Sequence, residues 1–346
     1  MRILRLISFF IFGLVANNLI AADRPLDDEA LVFQNLLFDS EFQKLSDLAD
    51  QYRNDPSLVS MEGMPMLVAL YAGISACIPK NCKVSDSEWT YKYNQLRAWQ
   101  AQLPNSITPK IAIAGYYVSH AWLARGRGYA NTVTPEGWQI FQEYMVKADD
   151  QLKKISGQGK LDPKWYDLML DVGLAQKWPI YQYDTIYNEG VIKFPYYFPL
   201  YFNKATYLAP RWYGSPKLVN QYVEKTVSNQ SDEEFANTLY ARINWSAQSN
   251  DMFTDGQTDW QKMKVGFDQV VKDFPHPWNV NNYAKFACKA QDYPTAYKVS
   301  QSIKDSILIS AWGSGGKGYF EWCYDYGDLI VNGSRPAGQS PFGTVK

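Results

Sequence analysis

An apolar pattern occurs twice in this chain, 80 positions apart. In both copies apolar residues stand at i, i+3, i+7, i+11 and i+14, and a proline follows directly. The first copy is Ile180, Tyr183, Tyr187, Val191, Phe194 and Pro195, and the second is Trp260, Met263, Phe267, Val271, Phe274 and Pro275. Such spacing puts the apolar side chains on one face of an α-helix, which the proline then ends. The pattern therefore predicts two helices that bury matching stripes.

A second, largely apolar stripe follows each proline, now at i, i+3, i+4 and i+7. The two stripes are Phe202, Ala205, Thr206 and Ala209, and Tyr283, Phe286, Ala287 and Ala290. A weaker third copy ends at Pro104, before a partner stripe of Ala114, Tyr117, Val118 and Ala121. Repeated pairs of amphipathic helices are typical of an α-solenoid, in which each pair buries its apolar face against its neighbours. We therefore predict an all-α fold, an irregular α-solenoid of helical hairpins, without a sheet.

The remaining pattern predicts further helices and the breaks between them. Apolar stripes indicate helices at 26–38, 42–52 and 61–74. Thr134-Pro135 and Asp162-Pro163 each combine a cap residue with a proline at the first helical position, and so predict two helix starts. We expect a loop at 156–159 and a longer polar break at 244–259.

The first 22 residues have the pattern of a secretory signal peptide. Arg2 and Arg5 precede a short apolar run at 6–15, and Ala21 and Ala22 follow it before the chain turns polar. The alternative is an uncleaved membrane anchor. We expect a signal peptide at 1–22, an α-helical repeat domain at 23–331 and a flexible tail at 332–346, with no segment after residue 22 apolar enough to span a membrane.

The charge of the chain argues against nucleic acid as a partner. Removal of Arg2 and Arg5 leaves 32 basic residues against 35 acidic ones, a net charge of −3. A nearly neutral chain has no general attraction for nucleic acid or for anionic lipid.

The four cysteines allow three disulfide pairings. Contacts in a solenoid are mostly between neighbouring units, which favours Cys77–Cys82 and Cys288–Cys323. The second bond would fasten the last helical pair to the C-terminal segment. The alternative is four reduced, buried thiols, which an oxidising compartment disfavours.

Two clusters are candidate binding residues. Arg125 and Arg127 lie in a glycine-rich turn, where two guanidinium groups can hold a carboxylate or a phosphate; alternatively they cap the carbonyl groups at the end of a helix. Tyr196, Tyr197 and Tyr201 belong to a dense aromatic segment that suits a peptide or a sugar, or else packs at a helix corner.

Catalytic patterns are scarce. The two histidines, His120 and His276, lie far apart without carboxylates at ligand spacing, so we expect no metal site, and no cofactor is expected. We find no nucleophile elbow or phosphate-binding loop, and therefore no candidate catalytic residue. Distant carboxylates brought together by folding remain compatible with glycosidase chemistry. Whether the protein is an enzyme therefore stays open, and we favour a protein without enzymatic activity.

Short signatures in a fixed order resemble a known bacterial family. They are Ala121-Trp122-Leu123-Ala124-Arg125-Gly126, Gly137-Trp138, Asp162-Pro163-Lys164-Trp165-Tyr166, Pro210-Arg211-Trp212, Asp259-Trp260, Met263-Lys264, Gly266-Phe267, Trp278-Asn279 and Phe286-Ala287-Cys288-Lys289-Ala290. Together, over residues 40–312, they resemble the family called domain of unknown function 4034. The resemblance implies tetratricopeptide-like helices and brings no established activity.

These observations lead to one expected function and two alternatives. We expect an exported, tetratricopeptide-like solenoid, periplasmic or secreted, that binds a protein or peptide in the cell envelope. The alternatives are a hydrolase acting on an envelope polysaccharide and a neutralising partner of a secreted toxin. We expect the function to lie in the turns between the repeated helices, because the stripes themselves are core.

Overall fold

The computed structural model describes residues 25–77, 87–126, 128–247 and 252–333. The predicted signal peptide, Cys82, Arg127 and positions 334–346 lie outside the described residues. Within these ranges the chain forms sixteen α-helices and no strand, which confirms the all-α prediction. The helices are α1 (Pro25–Phe38), α2 (Phe42–Asn54), α3 (Met66–Ser75), α4 (Ser87–Gln102), α5 (Thr108–Arg125), α6 (Pro135–Lys154), α7 (Ser156–Gly159), α8 (Pro163–Ala175), α9 (Ile180–Lys193), α10 (Pro199–Tyr207), α11 (Pro216–Ser228), α12 (Glu233–Ala247), α13 (Trp260–Asp273), α14 (Pro277–Lys289), α15 (Tyr293–Gln301) and α16 (Gly316–Asn332). Short 3₁₀ segments lie at Ala130–Thr132 and Ile309–Gly315.

The helices pack in the order of the chain, as in a solenoid. Neighbours along the chain, such as α5 and α6, α12 and α13, and α15 and α16, pack against each other. Helices α1, α3, α5, α8, α10 and α12 also contact one another in series. Each pair therefore covers the apolar face of the next, as the repeated pattern predicts.

The two copies of the repeated pattern form matching helices. Helices α9 and α13 are both 14 residues long. They end in the same way: Phe194 has φ −133° and ψ 63°, and Phe274 has φ −134° and ψ 73°. The stripe residues Tyr183, Met263 and Phe267 are fully buried, whereas Ile180, the first residue of α9, is 43% exposed, so the predicted burial is wrong at that position. The sequence repeat is thus a repeat of helix length and helix end, and of the core position of its central residues.

Three local predictions are wrong. Helix α3 begins at Met66 and not at 61, because Gly63 adopts a φ of +79° and Pro65 precedes the helix. Residues 156–159 form the single turn α7 instead of a loop. The predicted break at 244–259 starts too early, since α12 continues to Ala247, where buried Asn244 and Trp245 complete its inner face.

A buried ion pair joins the helices of the first half. The Asp162 carboxylate, fully buried, accepts hydrogen bonds from Arg53 Nε at 2.8 Å and from the Tyr71 hydroxyl at 2.7 Å. Its other oxygen accepts from the backbone N–H of Lys164 at 2.8 Å and caps α8, as Asp162-Pro163 predicted. Arg53 also donates to Thr108 at 2.9 Å. This network ties α2, α3, α5 and α8 together.

The loop between α2 and α3 reaches a distant part of the array. The Glu62 carbonyl accepts hydrogen bonds from Arg242 Nη2 at 2.7 Å and from Asn279 Nδ2 at 3.2 Å. Gly63 lies directly against the Phe274 ring, leaving no room for a Cβ atom. These two hydrogen bonds join residues that lie 180 and 217 positions apart in the chain, whereas a simple solenoid has contacts mostly between neighbouring units.

The C-terminal helices form a small core of their own. A disulfide joins Cys288 in α14 to Cys323 in α16, as predicted. The bond lies within a separate apolar cluster that also contains Trp312 and Phe320. Cys77 follows α3, and its predicted pairing with Cys82 stays a prediction because Cys82 lies outside the described residues. Helix α16 ends at Asn332, and Gly333 caps it with a φ of +72°.

Candidate binding site at Arg125

Helix α5 ends where the chain must turn. Gly126 adopts a φ of +70°, which favours glycine, and its N–H donates to the carbonyls of Trp122 and Leu123. Arg125 is the last helical residue and is 9% exposed. The local signal Arg-Gly thus places a buried guanidinium group at a helix end.

Three indole rings surround the Arg125 guanidinium. Its central carbon lies 5.6 Å from the ring centre of Trp122, 5.4 Å from that of Trp138 and 5.4 Å from that of Trp212. At these distances the ring faces attract the cation. The rings come from α5, from α6 and from the connection between α10 and α11, so only the tertiary structure brings them together.

The hydrogen bonds of Arg125 leave part of its capacity unused. Nη1 donates to the carbonyls of Gly126 at 3.1 Å and Gly128 at 3.2 Å, so the helix-capping alternative describes part of its role. Among the described residues the buried Nε has no hydrogen-bond partner, and Arg125 forms no ion pair with a carboxylate. Within this part of the chain the group is therefore a buried cation held by rings and carbonyls.

A second cation adjoins the first. Arg211 donates to the same Gly128 carbonyl at 3.1 Å and lies over the Tyr129 ring. Burial lowers the pKa of Arg125, and the positive charge of Arg211 lowers it further. Two neighbouring cations create a local positive potential that an anion relieves.

A cavity of about 480 Å³ opens beside these cations. This volume is in the usual range for a ligand pocket, about 300–1,000 Å³. The walls are indole rings, small residues and the two arginines: Ala76, Cys77, Trp89, Ser119, Trp122, Leu123, Arg125, Gly126, Arg211 and Trp212. Such walls suit an anionic group attached to a flat or apolar body.

The predicted tyrosine cluster divides between surface and core. Tyr201 is buried and donates to the Pro195 carbonyl at 2.9 Å, which is the helix-corner packing given above as the alternative. Tyr196 is 48% exposed and contacts the Phe235 ring. Tyr197 is buried, its hydroxyl has no hydrogen-bond partner in the ranges that the structure describes, and burial raises its pKa. Only Tyr196 presents a large part of its ring to solvent.

A second cavity, of about 250 Å³, lies beside Tyr196 and Tyr197. Four prolines, three tyrosines and two cations are among its lining residues, which are Tyr52, Arg53, Asn54, Pro56, Pro65, Leu67, Pro163, Lys193, Phe194, Pro195, Tyr196 and Tyr197. It shares no lining residue with the cavity at Arg125. The two sequence-predicted clusters therefore belong to separate sites, while Arg127 lies outside the described residues.

Acid–base and metal chemistry have little support in the described part of the chain. Burial raises the pKa of Asp171 to about 7, and the neighbouring Asp167 carboxylate adds to this effect while Lys164 opposes it. Neither aspartate lines the cavities at Arg125 or at Tyr196. No group of three or more metal-ligand side chains occurs among the described residues. His120 stacks on Tyr144 at 4.2 Å, and His276 caps α14 through Nδ1.

The sequence points to Arg125 but not to the rings and the second arginine that surround it. Trp122, Trp138 and Arg211-Trp212 stand in the segments that carry the family resemblance, yet nothing in their spacing shows that they converge. Comparisons of the chain with family models, with curated proteins and with solved structures found no match. The family resemblance therefore stays a prediction.

Proposed function

We propose that this is an exported helical-repeat protein, periplasmic or secreted, that binds a protein or peptide partner of the cell envelope. An acidic group of that partner occupies the cavity at Arg125. The observation that carries the proposal is the buried Arg125 guanidinium, which faces three indole rings and has no carboxylate partner within the described part of the chain.

The energetics of a buried cation support an anionic ligand. Full removal of an unpaired charge from water costs on the order of several kcal/mol in real proteins. Arg125 is 9% exposed and lines an open cavity, so it bears part of that cost. Ring faces and two carbonyls offset only part of this cost. A carboxylate or a phosphate completes the hydrogen bonding of Arg125 and neutralises the repulsion from Arg211. Indole rings at the wall add contact area for an apolar side chain.

One structural observation supports an exported protein. The Cys288–Cys323 disulfide is of the kind that persists in oxidising compartments. No helix of the described ranges is long and apolar enough to cross a membrane. The signal-peptide pattern at 1–22 supplies the route of export.

Affinity capture from envelope extracts tests the partner. The bait is the full chain, compared with Arg125→Met, which removes the cation, and Ser119→Trp, which fills the cavity and keeps the charge. Arg97→Met is the matched control, because Arg97 is an exposed arginine that does not line the cavity. We expect both cavity variants to lose a partner that the wild type and the control retain. Identical partners for all four baits would refute the proposed surface.

Calorimetry with a small probe tests the pocket itself. Naphthalene-2-carboxylate carries an anion on a flat apolar body, and naphthalene-2-carboxamide is its neutral counterpart. We expect the carboxylate to bind about tenfold or more tightly than the amide, and we expect this preference to disappear in Arg125→Met. Equal binding of both probes would show that the pocket does not select an anion.

A further inference from the structure

A third cavity, of about 210 Å³, lies where the α2–α3 loop meets α12. It is lined by Glu62, Met64, Phe202, Arg242, Trp245, Ser246 and Trp278. The set contains one acid, one base and three aromatic rings. Neither the repeated pattern nor the proposed function accounts for this combination.

The base of this set is a deeply buried guanidinium group. Arg242 is 4% exposed. Its Nη2 donates to the Glu62 carbonyl at 2.7 Å, and its Nη1 contacts the Met64 sulfur at 3.6 Å, which is a weak acceptor. The buried Nε has no hydrogen-bond partner in the described part of the chain. Burial lowers the pKa of Arg242 to about 10, against the opposing effect of Glu62. The guanidinium therefore keeps donor capacity that the described residues do not use.

The acid of the set lies on the same cavity. Glu62 is 1% exposed, and its carboxylate acts on Arg242 through space. A buried charge of each sign on one small cavity suits a ligand that also carries both signs. A ligand with only a negative charge would bind Arg242 and be repelled by the Glu62 carboxylate on the same cavity.

The remaining walls and the volume limit the body of the ligand. Phe202, Trp245 and Trp278 supply apolar ring surface. A volume of about 210 Å³ is below the range of about 300–1,000 Å³ usual for drug-sized ligands. The cavity is therefore matched to one residue-sized molecule and not to a peptide segment.

We infer that this cavity binds a free α-amino acid with an apolar side chain. Its carboxylate accepts hydrogen bonds from Arg242, its ammonium group donates to Glu62, and its side chain packs on the rings of Trp245 and Trp278. The exposed Ser246 lies at the mouth. Because the Glu62 carbonyl and Arg242 also join the α2–α3 loop to α12, occupancy by such a ligand strengthens that junction. The inference is independent of the site at Arg125, with which this cavity shares no lining residue.

Three matched probes test the inference by calorimetry on the full chain. L-Leucine carries both charges, 4-methylpentanoate is the same molecule without the ammonium group, and 3-methylbutan-1-amine lacks the carboxylate. We expect leucine to bind and each truncated probe to bind about tenfold or more weakly, because each lacks one of the two charged groups that contact Arg242 and Glu62. No binding of leucine, or equal binding of leucine and 4-methylpentanoate, overturns the inference.

Variants separate this ligand site from a purely structural junction. Glu62→Gln removes the negative charge and keeps the backbone carbonyl that Arg242 uses. Ser246→Trp blocks the mouth from an exposed position and leaves both charges in place. We expect both variants to weaken leucine binding about tenfold or more, and Ser246→Trp to do so with an unchanged free energy of unfolding in the absence of leucine. Unchanged leucine affinity in the folded Ser246→Trp variant would place any leucine binding elsewhere and would refute the site.

Discussion

Replacement of Asp162 by alanine tests the buried network that joins α2, α3, α5 and α8. The change removes the acceptor of Arg53 and Tyr71 and also the cap of α8. Burial by itself lowers the pKa of Arg53, but Asp162 and Tyr71 outweigh it and raise the pKa above its ordinary value. The ordinary pKa of an arginine lies far above neutral, so Arg53 stays charged when Asp162 is removed. Its remaining carboxylate partner is Asp50, which is largely exposed, so the variant holds a buried cation without a buried partner.

The size of the effect follows from two contributions. Breaking a buried ion pair by removing one partner costs about 3–5 kcal/mol. Loss of an N-cap side chain costs about 1 kcal/mol. We expect the free energy of unfolding to fall by about 4 kcal/mol, since the two contributions involve the same carboxylate and do not add fully.

Urea unfolding followed by far-ultraviolet circular dichroism measures this loss. Asp259→Ala is the matched control: Asp259 caps α13 by accepting from the N–H groups of Gln261 and Lys262, and it is exposed. The control isolates the cap and should lose only about 1 kcal/mol. If Asp162→Ala lowers the free energy of unfolding no more than Asp259→Ala does, the buried ion pair does not stabilise the fold.

Three further predictions concern the loop, the disulfide and one carboxylate. Gly63→Ala should lower the free energy of unfolding, measured in urea, by about 1–3 kcal/mol, because the φ of Gly63 is +79° and the new Cβ meets the Phe274 ring. The control Gly157→Ala, where a Cβ has open space, should change this free energy little. Equal losses in the two variants would contradict the prediction. The double variant Cys288→Ser/Cys323→Ser should lower the free energy of unfolding by about 4 kcal/mol according to the chain-entropy model. Amide hydrogen exchange should become faster in α16 and stay unchanged in α5, and an equal increase in both helices would contradict a local role of the disulfide. Asp171→Asn should be more stable than the wild type at pH 8 and equal to it near pH 4. The reason is that the pKa of Asp171 is about 7 in the folded state and 3.8 ordinarily, so the wild type loses stability as the pH rises between these two values. A stability difference that does not change with pH would refute this.

Local signals predicted most of the helical framework. Thr134 and Asp162 cap their helices because a cap and a following proline act within one turn, whatever the rest of the chain does. The start of α3 was missed for the opposite reason. Apolar residues begin at Met61, yet Gly63 turns the chain so that the loop can reach Phe274. That contact spans more than 200 positions, and no local pattern contains it.

The candidate sites were predicted only in part. Arg125 stood out because arginine in a glycine-rich turn is a local signal for a helix end. Its indole walls were missed, because Trp138 and Trp212 come from elements far along the chain. Nothing in the sequence indicates the site at Arg242, because a single arginine within a helix is ordinarily exposed and hydrated, whereas Arg242 is buried.

The sequence by itself determined the helices, their ends, the all-α class and the neighbour packing, because periodicity and caps act over a few residues. Only the tertiary structure decided which buried charges meet which rings. The Arg125 and Arg242 sites form where helices from distant positions converge, and their chemistry depends on burial, which no short pattern encodes. Local patterns therefore predict the helical framework, whereas the cavities that the proposed ligands occupy depend on how distant helices pack together.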